Sequence, residues 1–139
     1  MRRVLLLGLL PVLLIPARAV SADPLVVPSN HQQAGKNSIG VLSIPKLNVT
    51  SNVYIGVTMA VFDKGVGQWP GGPEFGSEGN IVIGGHRTSG KRPFYNIDKL
   101  AEGDIITLSS RGVTYRYSVA KKFIVKPTAT WIINPSSDA

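Results

Sequence analysis

The sequence predicts an all-β domain, a barrel or sandwich with short helices. Its apolar runs are short and are separated by turns rich in glycine and proline, of which the 139 residues contain 15 and 10. Val113–Val119 alternates strictly between larger apolar or aromatic side chains and polar ones, as a half-buried strand does. No segment with helical periodicity reaches ten residues. This combination indicates many short strands packed in one domain.

The first 22 residues have the layout of a secretory signal peptide. A basic start, Met1-Arg2-Arg3, precedes an apolar run over Val4–Ile15, and small residues follow at Ala17, Ala19 and Ala22. The apolar run is shorter than the ~20 residues that cross a bilayer comfortably. A cleaved signal is therefore favoured over a permanent membrane anchor, which stays open. We expect an exported protein, either secreted or held at the extracellular face of the cell membrane.

The segment after the signal divides into a spacer and a domain. Residues 23–37 are rich in Pro, Ser, Asn and Gln without a sustained period, which predicts a flexible spacer. Residues 38–139 hold the β domain. The first elements predicted there are a strand over Ile39–Pro45, a strand within Lys46–Tyr54, a helical turn within Tyr54–Asp63 and a long loop over Gly65–Gly79. A buried strand over Asn80–Gly85, a turn over Ser89–Pro93 and a short helix over Phe94–Leu100 follow. The last elements are a hairpin of Asp104–Leu108 and Val113–Val119, a strand over Lys122–Pro127 and an apolar patch at Trp131–Ile133.

Charge and composition exclude several kinds of site. The net charge is +7, and it falls to +4 without residues 1–22, which carry three arginines and no acid. The cations are dispersed, so the charge does not indicate a nucleic-acid partner. Without cysteine there is neither a disulfide nor a thiolate ligand, and two histidines make a protein-only zinc site improbable. The acids Asp98, Glu102 and Asp104 predict a solvated turn and helix cap rather than a calcium site. We predict no cofactor and no metal.

The strongest candidate for chemistry is His86. It follows a predicted buried strand that ends in Gly84-Gly85, which leaves room for another group to approach an imidazole on a rigid support. Spacing alone favours an ordinary surface histidine. Ser89, three residues further on, is a poor nucleophile for a serine hydrolase, because near neighbours on a loop rarely face each other correctly. His31 lies in the spacer, and we assign it no function.

The residues around His86 resemble a known family. Gly79–Ser89, preceded by Trp69-Pro70-Gly71 and followed by Arg92–Leu100, is similar to the region around the catalytic histidine of sortases. The Gly-His-Arg-Thr form and the long Gly/Pro loop before it are most similar to the class E group of Gram-positive actinobacteria. The resemblance extends over about residues 38–133 and implies a sortase-like β-barrel.

The resemblance implies a cysteine transpeptidase. Sortases cleave a Leu-Pro-x-Thr-Gly or Leu-Ala-x-Thr-Gly sorting signal and join the protein to an amine of a cell-wall precursor or pilin. Only His86 matches a catalytic position of the family; Arg87, Arg111 and Arg116 do not match its arginine. The family's cysteine and arginine strands would fall beyond Ala139, so we expect a barrel incomplete at its C-terminus, with open strand edges, and an inactive chain.

A second hypothesis is a non-catalytic exported β-domain that binds cell-wall or protein partners. Trp69 and Trp131 fit either hypothesis, because each tryptophan could line a substrate groove or pack against the domain.

Overall fold

The computed structural model describes residues 2–8, 12–19, 35–126 and 128–134. Within these residues the chain forms nine strands, one short α-helix and three 3₁₀ turns. The strands are β1 (Arg2–Gly8), β2 (Val12–Ala19), β3 (Gly40–Ile44), β4 (Val49–Ile55), β5 (Val66–Gln68), β6 (Gly79–Gly85), β7 (Ile105–Ser110), β8 (Val113–Val119) and β9 (Phe123–Val125); the helix is α1 (Met59–Phe62), and the 3₁₀ turns are Pro45–Leu47, Ile97–Lys99 and Thr130–Ile133.

All nine strands belong to one curled sheet. Its order is β1-β6-β5-β4-β3-β7-β8-β2-β9, and β1 also pairs with β2. Pairing therefore runs from β1 through β6, β5, β4, β3, β7, β8 and β2 back to β1. The predicted all-β, barrel-like fold is confirmed.

The N-terminal strands occupy the edges that we expected to be open. β1 pairs parallel with β6, from Arg2 opposite Gly79 to Gly8 opposite Gly85. β2 pairs antiparallel with β1, β8 and β9. The expectation of open strand edges is thus wrong for β6 and β8, because the chain's own N-terminal strands supply their hydrogen-bonding partners. The export signal predicted over residues 1–22 includes both strands, and export itself stays a prediction.

The predicted loop over Gly65–Gly79 contains a strand that the sequence analysis missed. This strand, β5, is buried. It pairs parallel with β4 and antiparallel with β6. Its pairing depends on Gly67, where a Cβ would lie only 1.9 Å from the carbonyl oxygen of Gly56. The glycine that indicated a loop is therefore required for close contact between two backbones.

The core lies inside the curled sheet. The β7–β8 hairpin confirms the predicted alternation: Tyr117 and Val119 on β8 are buried, whereas Arg116, next to Tyr117 in the strand, is exposed. The segment predicted as a short helix contributes its three apolar side chains, spaced three residues apart, although only a 3₁₀ turn forms there. The core comprises Leu42, Ile44, Val53, Val66, Phe75, Ile81, Ile83, Phe94, Ile97, Leu100, Ile106, Leu108, Tyr117 and Val119.

Residues 35–38 contact the neighbouring part of the sheet. The N–H of Gly35 donates to Oδ1 of Asn52 on β4, and the N–H of Ser38 donates to the carbonyl of Gly35. Residues 20–34, which include His31 and most of the predicted spacer, lie outside the described residues. No helix in the described parts of the chain has the length and apolar character needed to cross a membrane.

Candidate active site around His86

His86 follows directly after the last residue of β6. Ile81 and Ile83 on this strand are fully buried in the core. Because side chains alternate along a strand, Val82 and Gly84 lie on the opposite face, and His86 continues their row. The imidazole is nevertheless only 3% exposed. The predicted rigid support is present, but His86 is not the exposed histidine that the sequence indicated.

The backbone beneath His86 is held by tight packing at Gly85. A Cβ at this position would lie 3.0 Å from a ring carbon of Phe94 and 3.0 Å from Cγ1 of Val66. The N–H of Phe94 also donates to the carbonyl of His86, at 3.2 Å. Core packing and this hydrogen bond together fix where the histidine leaves the strand.

Both ring nitrogens of His86 have hydrogen-bonding partners. Nε2 lies 3.0 Å from Oδ1 of Asp63, and Nδ1 lies 2.9 Å from Oγ of Ser89. The ring also makes an edge contact with Phe62, with centroids 5.8 Å apart at 72°. The expectation that Ser89 and His86 do not face each other is wrong, because the turn after His86 brings the hydroxyl back to the ring.

Asp63 was not found by the sequence analysis. It lies directly after α1, 23 residues before His86 in the chain, and its side chain is 68% exposed. No local pattern links a C-cap aspartate to a histidine at the end of another strand. The contact arises because β5, which follows Asp63, lies beside β6 in the sheet.

The turn after β6 covers the ring of His86. Gly90 has a φ of +56°, and a Cβ there would lie 3.2 Å from Cδ2 of the imidazole. Nζ of Lys91 donates to the carbonyl of Lys64, at 3.1 Å, which ties this turn to the segment after α1. A substrate group therefore reaches His86 only where it displaces or passes this turn.

The β6 face that carries His86 is bordered by the C-terminal segment of the described chain. Val82 is buried beneath a small apolar cluster, and Nδ2 of Asn80 donates to the carbonyl of Ile132, at 2.9 Å. The Phe123 and Trp131 rings stack at 6.0 Å, with Trp131 60% exposed. The cluster around Val82 comprises Phe123, Val125, Ile132 and Ile133.

Arg87, the residue after His86, has a structural contact. Arg87 forms an ion pair with Asp98, with Nη2 and Oδ1 3.0 Å apart. Arg111 lies in the turn between β7 and β8, and Arg116 lies on β8. None of these three arginines forms a described contact with His86.

Asp104 closes the turn before β7, where its N–H donates to the carbonyl of Ala101. Oδ2 of Asp104 accepts from Nζ of Lys46 and from the N–H of Ala101, both at 2.7 Å. The hydrogen bond and charge of Lys46, with the Ala101 N–H, lower the pKa of Asp104 below its usual value. Among the described residues, no cluster of three or more His, Asp or Glu side chains has metal-binding geometry.

A cavity of about 950 Å³ opens elsewhere on the domain. It lies beside the β7–β8 turn and the segment before β6, and its lining includes Glu74, Phe75, Arg111 and Tyr115. His86 and its hydrogen-bonding partners are not among the lining residues. The molecule thus has two separate candidate binding regions.

Comparison with known proteins identifies the family. The sortase-domain family model matches residues 42–139, well over half of the chain. The chain belongs to the sortase family. Among curated protein sequences, none matches it.

Solved sortase structures share this fold. Sortase E from Streptomyces avermitilis matches with a TM-score of 0.68 and 28% identity, over 74% of this chain and 69% of that chain. A sortase D5 transpeptidase from Clostridium perfringens matches with a TM-score of 0.66 and 29% identity, over 76% and 67% of the two chains. Sortase C-1 from Actinomyces oris matches with a TM-score of 0.67 and 27% identity, over 73% of this chain and 59% of that chain.

Proposed function

We propose that this sortase contributes the histidine of a transpeptidase site of the class E-like type, with His86 as the proton donor. The observation that carries the proposal is the position of His86: a buried imidazole at the end of β6, with both nitrogens hydrogen-bonded, in a chain of the sortase family. An imidazole can act as a general acid and as a general base.

The proposed reaction begins when the imidazole of His86 takes the proton of a thiol, and the thiolate attacks the Thr carbonyl of a Leu-Pro-x-Thr-Gly or Leu-Ala-x-Thr-Gly signal. The Thr–Gly bond breaks, His86 gives its proton to the departing amine, and an acyl thioester remains. An amine of a cell-wall precursor or pilin then attacks the thioester, the thiolate leaves and the imidazole regains a proton. Surface proteins that carry the signal are the proposed substrates.

The thiol must come from outside these 139 residues, which contain no cysteine. The arginine expected for the family also has no matching position here. We therefore expect no cleavage of a sorting signal by this chain alone. Export to the outer face of the membrane, or secretion, is part of the proposal, because sorting signals and cell-wall amines are found there.

An extended peptide can approach His86 along the outer side of the apolar cluster that covers Val82. Trp131 provides an exposed aromatic surface on the same segment. Aromatic and apolar side chains around a few polar groups are typical of peptide-binding grooves. This arrangement supports binding of a sorting signal across the C-terminal end of β6.

A binding experiment tests the proposal without requiring catalysis. Fluorescein-labelled sorting-signal peptides and a scrambled control are titrated into the chain, and polarisation is recorded. We expect saturable binding of the signals only, weakened by His86→Ala and unchanged by His31→Ala, the matched control at the other histidine. Equal binding of the scrambled peptide, or no effect of His86→Ala, would contradict the proposal.

A non-catalytic exported binding domain is the second candidate. The absence of cysteine and the separate cavity of about 950 Å³ favour it. In this case a cell-wall or protein partner would occupy the cavity, and His86→Ala would leave partner binding intact. Substitution of Tyr115, which lines the cavity, would instead weaken it.

A further inference from the structure

The two nitrogens of His86 face chemically different partners. A carboxylate can only accept a hydrogen bond, so the contact between Asp63 and Nε2 requires that Nε2 carry the proton. A hydroxyl can donate or accept, so Ser89 suits either state of Nδ1. In the neutral imidazole the other nitrogen is then unprotonated, and the hydroxyl of Ser89 donates to Nδ1.

We propose that Asp63 is a positioning residue that holds a proton on Nε2 of His86, so that Nδ1 is the nitrogen that takes up the thiol proton and passes it to the departing amine. Ser89 occupies Nδ1 until a substrate group displaces it. The role of Nδ1 toward substrate rests on the proposed function, whereas the tautomer does not. Asp63 touches no reacting atom, and it acts only through the imidazole.

Burial strengthens the argument for a single orientation. The ring is 3% exposed, Phe62 contacts it at its edge, and a Cβ at Gly90 would lie only 3.2 Å from Cδ2. A ring flip would place Nδ1 and Nε2 away from both oxygens, and solvent has little access to replace the lost hydrogen bonds. The packing and the two hydrogen bonds therefore select the same orientation.

The location of Ser89 explains how the site could open. Ser89 is exposed and lies in the turn that covers the ring, whereas Asp63 follows α1 on the other side. Movement of the turn releases Nδ1 and leaves the contact between Asp63 and Nε2 intact. The nitrogen freed in this way faces the space from which the turn has withdrawn.

The test records the tautomer of His86 by ¹⁵N NMR of the full chain labelled at histidine, in a His31→Ala background, at a mildly alkaline pH where an ordinary histidine is neutral. We expect the Nε2–H tautomer, with a slowly exchanging Nε2 proton. Asp63→Ala should remove the slow exchange, and Asp63→Asn, whose amide oxygen still accepts, should restore part of it. Asp63→Ala combined with Ser89→Asp moves the carboxylate to the other nitrogen and should convert the ring to Nδ1–H.

Two results would overturn the inference. One is the Nδ1–H tautomer in the chain with Asp63 and Ser89 intact; the other is an Nε2 proton whose exchange is unaffected by Asp63→Ala. A merely structural role for Asp63 would change stability but not the identity of the protonated nitrogen.

A second readout separates the inference from the proposed function. Ser89→Ala should increase the affinity for a sorting-signal peptide by about fivefold, because the peptide no longer has to break the hydrogen bond to Nδ1. Binding that weakens instead would overturn the role of Ser89 as a displaceable group. If no peptide binds although the tautomer responds as expected, the proposed function fails and the positioning role of Asp63 stands.

Discussion

Gly67→Ala should severely destabilise the domain, because β5 pairs with β4 only through a close approach at this residue. A Cβ at Gly67 would lie 1.9 Å from the carbonyl oxygen of Gly56 and 2.9 Å from Cγ1 of Val61. Real Cβ atoms essentially never approach closer than 3.0 Å. The two backbones must therefore separate by more than 1 Å.

That separation affects the whole contact between β4 and β5. The pairing covers only three positions, Val53 with Val66, Tyr54 with Gly67 and Ile55 with Gln68. Losing two or three backbone hydrogen bonds costs about 1 kcal/mol each, and partial exposure of an apolar core side chain adds about 1–2 kcal/mol. The expected loss in the free energy of unfolding is about 3–5 kcal/mol, a large part of the 5–15 kcal/mol typical of a domain.

Urea unfolding, monitored by circular dichroism, measures this loss in the free energy of unfolding. Gly71→Ala is the matched control: its φ is +79° and an added Cβ meets no atom within 4 Å, so it should cost only about 1 kcal/mol of backbone strain. At roughly 4 °C per kcal/mol, Gly67→Ala should lower Tm by about 12–20 °C. Equal stability of the two variants, within about 0.5 kcal/mol, would refute the reasoning.

Three further predictions follow from contacts elsewhere in the domain. Tyr117→Phe removes the buried hydroxyl that accepts from the N–H of Gly76, so urea unfolding should show a loss of about 1–3 kcal/mol, and an unchanged midpoint would contradict this. Asp104→Asn removes the ion pair with Lys46. The pKa of Asp104 is lowered in the folded state, so the stability that this carboxylate gives the fold is present above its unfolded pKa and is lost as pH falls through its folded pKa. The cost of this substitution should therefore be about 1 kcal/mol at neutral pH and shrink in acid, whereas a constant difference between pH-dependent unfolding curves would argue against it. Removing residues 1–19 leaves the edges of β6 and β8 unpaired, so sedimentation should show self-association, and a purely monomeric profile would argue against the role of the hairpin.

Local patterns predicted the elements whose burial depends on their own sequence. The alternation in Val113–Val119 gave the β7–β8 hairpin, and the apolar run ending in two glycines gave β6. The predicted short helix over Phe94–Leu100 is a 3₁₀ turn, yet Phe94, Ile97 and Leu100 are all buried, because a spacing of three residues orients side chains together in either kind of turn.

Tertiary contacts were not predictable in this way. β5 lies in a Gly/Pro-rich stretch, and its strand structure comes from partners on both sides. The pairing of residues 2–19 with β6 and β8 joins distant parts of the chain, and no local motif indicates it. Asp63 and Ser89 reach His86 only through the sheet and the turn after β6, so the local pattern indicated the histidine without its hydrogen-bonding partners.

The most direct test of the central claim maps where a sorting-signal peptide binds. The measurement is a ¹H–¹⁵N NMR titration of the labelled chain with a Leu-Ala-x-Thr-Gly peptide, followed at every assigned amide. We predict the largest saturable shifts from Val82 to Ser89, on the face of β6 that carries His86. Shifts confined to the lining of the separate cavity, around Phe75 and Tyr115, with none near His86, would contradict a sortase-type site at the end of β6.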